Sequence, residues 1–185
     1  MTSMRLAIVL CGRICSGKSS LARSITIGSG IRPVSFGAYF RYLADRQGAL
    51  HNRSSLQDIG QSYIERYGAR SLLEDTLRFY SIGSGDAVLF DGVRHVNMWS
   101  EIEKYSSQMV GIWLQADQII RHRRYEERLG HRVELRDFLV MDGHPVEAET
   151  ERLTQYCQYS IDSTRDVREV ATVAFKLLAP YLKHS

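Results

Sequence analysis

Short unbroken apolar runs alternate along this chain with longer stretches in which apolar residues recur at helical spacing. Leu6-Ala7-Ile8-Val9-Leu10 and Ala87-Val88-Leu89-Phe90 have strand length and no polar interruption, as expected of strands covered on both faces. Residues 32–36 and 109–114 predict two further strands, and 158–161 a short last one. A first helix carries Leu21, Ala22 and Ile25 on one face and stops at Gly28-Ser29-Gly30. Helices are predicted at about 38–47, 54–64, 70–80, 96–105, 117–129, 134–141 and 146–156, with a polar turn over 48–52. A final helix begins at Asp166, with Val167, Val170, Ala171, Ala174, Leu177, Leu178 and Tyr181 on its apolar face. Alternating strands and helices imply right-handed crossovers, so the expected fold class is α/β: a five-stranded parallel sheet sandwiched by helices, in one domain over 1–185.

The loop after the first strand changes the picture. Gly12-Arg13-Ile14-Cys15-Ser16-Gly17-Lys18-Ser19 fits G-x-x-x-x-G-K-[ST] at every fixed position, between a strand and a helix. Gly12 and Gly17 permit backbone angles that turn consecutive N–H groups inward around a phosphate. The following helix adds its positive end. Lys18 is expected to reach the β- and γ-phosphates of a nucleotide and Ser19 to ligate Mg²⁺. Ser16 and Ser20 complete the expected nucleotide-binding set.

A second signal is the strand ending at Asp91, an apolar run closed by an acid, which supplies a carboxylate near Mg²⁺ and the γ-phosphate. Arg94 follows in Asp91-Gly92-Val93-Arg94, at the rim where strand ends face the ligand crevice, and is read as a fork onto an acceptor phosphate.

Composition narrows the rest. A net charge of +3 does not demand a nucleic-acid or membrane partner. Arginine outnumbers lysine, 20 to 4, and its planar fork suits bidentate phosphate recognition. Cys11, Cys15 and Cys157 show no zinc or CxxC spacing and suit a reducing cytoplasm. Cys15 is expected to point away from the ligand. The histidines form no metal motif, and no apolar run reaches the length of a membrane span. The protein is expected to be cytoplasmic.

Other segments resemble the P-loop kinase superfamily, in particular nucleoside and deoxynucleoside monophosphate kinases. Ser35-Phe36-Gly37-Ala38-Tyr39-Phe40-Arg41 resembles their acceptor-site entry, which implies an acceptor-phosphate role for Arg41 and a base-stacking or wall role for Phe36. Many relatives have an acid where this chain has Ala38. Leu56-Gln57-Asp58-Ile59-Gly60 is similar to an LQ-x-LG element that places Gln57 beside the acceptor. The basic stretch 121–128 looks like the family's lid, with Arg121, Arg124 and Arg128 sharing a helical face. Arg124 and Arg128 would then neutralise the transferring phosphoryl group, and Arg132 and Arg136 extend the patch. Ile161-Asp162-Ser163-Thr164 resembles the loop whose backbone packs on adenine, with Ser163 where many relatives have Asn.

The resemblance implies a P-loop kinase fold with acceptor-site helices over about 36–82 and a small helical lid over about 117–145. It implies an ATP- and Mg²⁺-dependent kinase acting on a nucleoside or deoxynucleoside monophosphate. Dephospho-CoA kinase-like or other small-alcohol or 5′-hydroxyl kinases share the scaffold. A reading of another class is an ATP-binding regulatory or nucleic-acid-associated module. No Asn-Lys-x-Asp guanine motif is present. Lys18, Asp91, Arg94, Arg124 and Arg128 are the expected catalytic residues, with Ser19 and Asp91 at the metal. The partner is expected to be a small-molecule phosphate acceptor, with the oligomeric state open.

Overall fold

The computed structural model describes residues 4–50 and 53–182. Five strands form one parallel sheet: β1 (Met4–Cys11), β2 (Arg32–Ser35), β3 (Ala87–Asp91), β4 (Ser106–Gln115) and β5 (Tyr159–Asp162), in the order β2-β3-β1-β4-β5. The helices are α1 (Lys18–Thr26), α2 (Phe36–Gln47), α3 (Arg53–Phe79), α4 (Val96–Lys104), α5 (Gln118–Leu129), α6 (Leu135–Asp142), α7 (Pro145–Glu151) and α8 (Val167–Leu182), with a 3-10 turn over Arg152–Tyr156.

The two-sided apolar pattern of β1 explains the layers. Ala7, Val9 and Cys11 face a core shared with Val88, Phe90, Trp113 and residues of α2, α3 and α4. Leu6, Ile8 and Leu10 face the other core, built with Leu89, Ile112, Leu114, α1 and α8. Register then sets where chemistry can occur. Leu10 pairs with both Asp91 and Ile112, and Ser35 pairs with Asp91, so the carboxyl ends of β1, β2 and β3 meet at one edge. Every loop carrying a predicted site residue from 12 to 94 leaves from that edge.

Some expected boundaries shift, each for a local reason. β4 begins at Ser106, ahead of the apolar run, because Ser106 and Gln108 pair with Met4 and Leu6. Phe36 opens α2 instead of closing β2, and the Ser35 hydroxyl accepts the Ala38 N–H at 3.2 Å as its cap. The two helices expected over 54–64 and 70–80 are both present within α3, separated by the non-helical backbone of Gly68 (φ 83°, ψ 159°). Asp117 precedes α5 as expected, but its side chain makes no capping hydrogen bond. The helix expected over 146–156 tightens after Glu151 into the 3-10 turn. The expected turn at 48–52 lies partly outside the described residues. Among the described residues no helix is long and apolar enough to cross a membrane.

Candidate active site

Between β1 and α1 the backbone adopts the turns that the glycines were expected to allow. Gly12 has φ 146°, and a Cβ there would sit 2.5 Å from the Ser16 hydroxyl and 2.7 Å from the Leu114 carbonyl oxygen. Gly17, at the start of α1, has φ 94°. Cys15 also takes a left-handed conformation, φ 58°, a strained position for a side-chain-bearing residue. Lys18 folds back over the loop, donating from Nζ to the carbonyls of Gly12 (2.6 Å) and Arg13 (2.9 Å) and to the Ser16 hydroxyl (3.3 Å). Burial lowers its pKa to about 8, and the nearby charge of Arg94 pushes in the same direction against Asp91 and Glu147.

Ser19, first turn of α1, donates its hydroxyl to Asp91 Oδ2 at 2.6 Å. This hydroxyl and carboxylate, hard oxygen donors beside a phosphate-binding loop, fit Mg²⁺. Among the described residues no group of three or more His, Cys, Asp or Glu side chains could hold a metal. A cation here would therefore rest on Ser19 and Asp91 together with nucleotide phosphates and water.

Arg94 leaves the same edge and donates Nη1 to Glu147 Oε1 at 2.5 Å. Glu147 is fully buried, and its other oxygen accepts the backbone N–H of Ile14 in the phosphate loop at 2.8 Å. Sequence reasoning did not single out Glu147, which in Val146-Glu147-Ala148-Glu149-Thr150-Glu151 resembles one acid of a solvated face. Its one signal is Pro145 at the helix start, which fixes Glu147 in the first turn of α7.

Arg121 requires a correction. It was expected to share a lid face with Arg124 and Arg128, but it is buried and ion-paired through both terminal nitrogens with Asp142, which is itself buried. Its Nε donates to the Ala116 carbonyl at 3.1 Å. Arg13 joins the same carboxylate, Nε to Oδ1 at 3.2 Å, and also pairs with Glu151 at 2.9 Å. Burial works against the Asp142 charge, but the Arg121 and Arg13 guanidiniums hold its pKa below the usual carboxylate range. Arg121 thus fastens α5 to α6 and leaves no fork for a ligand.

Phe36 also requires a correction. Its ring is 2% exposed and stacked on Phe90 at 6.1 Å, so it is a core residue with no open face for a base. Arg41, one turn further along α2, is exposed and makes no hydrogen bond or ion pair among the described residues. Its guanidinium lies near Gly37, with Nη1 3.9 Å from where a Cβ would stand. Gly37 abuts Gly92, 3.7 Å between the Gly37 nitrogen and a Gly92 Cβ position, which brings the turns after β2 and β3 together. On α3, Gln57 has a buried Nε2 with no hydrogen-bond partner among the described residues.

Ser163 follows β5 and is buried. Its hydroxyl donates toward the Ser16 carbonyl (2.7 Å) and the Gln115 carbonyl (2.9 Å), and its N–H donates to Gln115 at 2.8 Å. Arg124 donates Nη2 to the Ser163 carbonyl at 2.5 Å, while its buried Nη1 finds no partner among the described residues and lies 3.6 Å from a Gly17 Cβ position. Arg124 therefore bridges α5, the loop after β5 and the phosphate loop. Arg128 is exposed at the end of α5, and Ser20 is exposed on α1. Arg132 and Arg136 pair at 3.6 Å with Glu126 and Asp137 on the surface.

Solved structures share this architecture. A gluconokinase from Sinorhizobium meliloti 1021 superposes with a TM-score of 0.61 at 14% identity, over 98% of this chain and 95% of that one. A sugar kinase from Janibacter sp. HTCC2649 gives 0.60 at 16% identity, over 97% and 98%. A shikimate kinase from Bacteroides thetaiotaomicron gives 0.59 at 16% identity, over 94% and 98%. No protein-family model matches the chain, and no curated protein matches it in sequence. At these identities the likeness establishes the fold alone, one shared with a gluconokinase, a sugar kinase and a shikimate kinase.

Proposed function

We propose that this chain is an ATP- and Mg²⁺-dependent phosphotransferase that passes the γ-phosphoryl group to a small anionic acceptor, a nucleoside or deoxynucleoside monophosphate in the first reading. The observation that carries the reading is the 2.6 Å contact of Ser19 with Asp91, beside a glycine-shaped backbone cradle closed by Lys18. Phosphoryl transfer needs positioning and charge neutralisation more than covalent catalysis. Lys18 would exchange the Gly12 and Arg13 carbonyls for the donor phosphates. Mg²⁺, when held by Ser19 and Asp91, would neutralise charge on the transferring group. Arg41 and Arg94 would hold the acceptor in line. Arg124 and Arg128 would act from α5, with α5 and α6 as the lid, and the backbone around Ser163 would border the donor base. Three cysteines outside any disulfide suit a reducing cytoplasm as its place of work.

A monophosphate is already ionised and needs no general base, which leaves Asp91 to the metal. The fold shared with a gluconokinase and shikimate kinases favours a second reading, in which the acceptor is a hydroxyl of a polyhydroxy acid and Asp91 takes its proton. Either anion fits two arginine forks. The test is transfer of label from [γ-³²P]ATP across all ribo- and deoxynucleoside monophosphates, gluconate, shikimate, dephospho-CoA and 5′-hydroxyl oligonucleotides. Labelling of one monophosphate is expected, and labelling of a hydroxy acid alone selects the second reading. Tight ATP binding with no acceptor labelled would overturn both.

A further inference from the structure

One buried carboxylate touches both the phosphate loop and the acceptor arginine. Glu147 accepts the Ile14 N–H at 2.8 Å with Oε2 and the Arg94 Nη1 at 2.5 Å with Oε1, and it is fully buried. The rest of α7 grips the neighbours of both partners. Glu151 pairs with Arg13 at 2.9 Å, and Glu149 Oε1 accepts the Val96 N–H at 3.4 Å. Burying a carboxylate is unfavourable unless its oxygens are matched, and here each has a donor.

We infer that Glu147 is a positioning residue that fixes Arg94 at a set distance and orientation from the phosphate loop, so that donor and acceptor groups are held in register. The inference rests on the reading of Arg94 as an acceptor contact. Arg94 makes no other hydrogen bond among the described residues, so with Nη1 committed to Glu147 its Nε–Nη2 edge keeps its donors for an anion. That edge is a bidentate fork for phosphate or carboxylate. The α6–α7 segment therefore acts as a strut under the site: Asp142 holds Arg13 and Arg121, and Glu147 holds Ile14 and Arg94. Small errors in such positioning weaken in-line transfer strongly.

Glu147→Gln keeps a side-chain oxygen for the Ile14 N–H and removes the charge that orients Arg94. The measurements are KM for ATP, KM for the labelled acceptor, kcat, and amide hydrogen exchange at Ile14. Acceptor KM should rise about tenfold, with ATP KM within about twofold and Ile14 protection retained. A lower melting temperature with both KM values unchanged, or both raised equally, would overturn the inference. If the wild-type chain phosphorylates no acceptor, the functional reading fails, and exchange alone decides the inference. Arg94→Gln should then speed Ile14 exchange about tenfold, because the shared carboxylate loses one of its two anchors. Unchanged Ile14 exchange in that variant would overturn it.

Discussion

The two halves of the proposed site, donor and acceptor, are held together differently. In the donor half the loop itself is closed by internal partners, Lys18 on two carbonyls, Ser19 on Asp91, Ser163 on Ser16, Glu147 on Ile14, and the buried donor left over beside it is Arg124 Nη1 on α5. In the proposed acceptor half Arg41 is exposed without an ion pair among the described residues, and Gln57 carries a buried amide nitrogen with no partner among them. Nucleotide phosphates are recognised by backbone N–H groups, which must be fixed before the ligand arrives. An acceptor is recognised by side chains, whose unused donors mark where a ligand will supply the missing partners.

The largest expected effect breaks the donor half. Lys18→Ala should lower kcat by about 10²–10³-fold, measured at saturating substrates, because it removes a charge-stabilising donor from the transition state. Gly12→Ala should destabilise the chain by about 3 kcal/mol in urea titration, since the new methyl meets Ser16 and the Leu114 carbonyl at a positive φ. A pH titration sharpens the same comparison. Lys18 must be charged to hold phosphate, so kcat/KM for ATP should fall as pH rises through about 8. An unfolded lysine keeps its proton to about 10.5, so between about 8 and 10.5 the unfolded chain binds more protons. This group therefore makes the ligand-free chain more stable as pH rises across that window.

Smaller effects test the outer parts. Ser163→Ala should cost about 1–2 kcal/mol of stability, and ATP KM should rise a few-fold, since the Ser16 carbonyl loses its buried donor. Gln57→Leu should leave the ligand-free melting temperature unchanged or slightly raised, because an unpaired buried amide is removed, while acceptor KM rises several-fold. A melting temperature lowered with acceptor kinetics untouched would return Gln57 to an ordinary packing role.

How much of this was legible in the sequence follows the same division. The phosphate loop, Asp91 and the five strands are local signals: fixed glycine spacing, unbroken apolar runs and an acid at a strand end. Long-range pairing was not legible. Arg121 shares its spacing with Arg124 and Arg128, yet only the fold brings Asp142 to it, 21 residues on, and converts it from a lid residue into a buried tie. Phe36 stands beside a turn that resembles an acceptor entry, but the parallel register of β2 and β3 points its ring onto Phe90. Glu147 carries no spacing signal, since its partners lie 133 and 53 residues away. The early start of β4 depends in the same way on pairing with β1.

The division of labour itself is tested most directly by Arg94→Ala, with KM for ATP and KM for the acceptor measured on one preparation. Acceptor KM should rise by about 10–100-fold, the loss expected for a charge-assisted fork, while ATP KM stays within about twofold. Equal changes in both constants, or an unchanged acceptor KM, would contradict the assignment of Arg94 to the acceptor half.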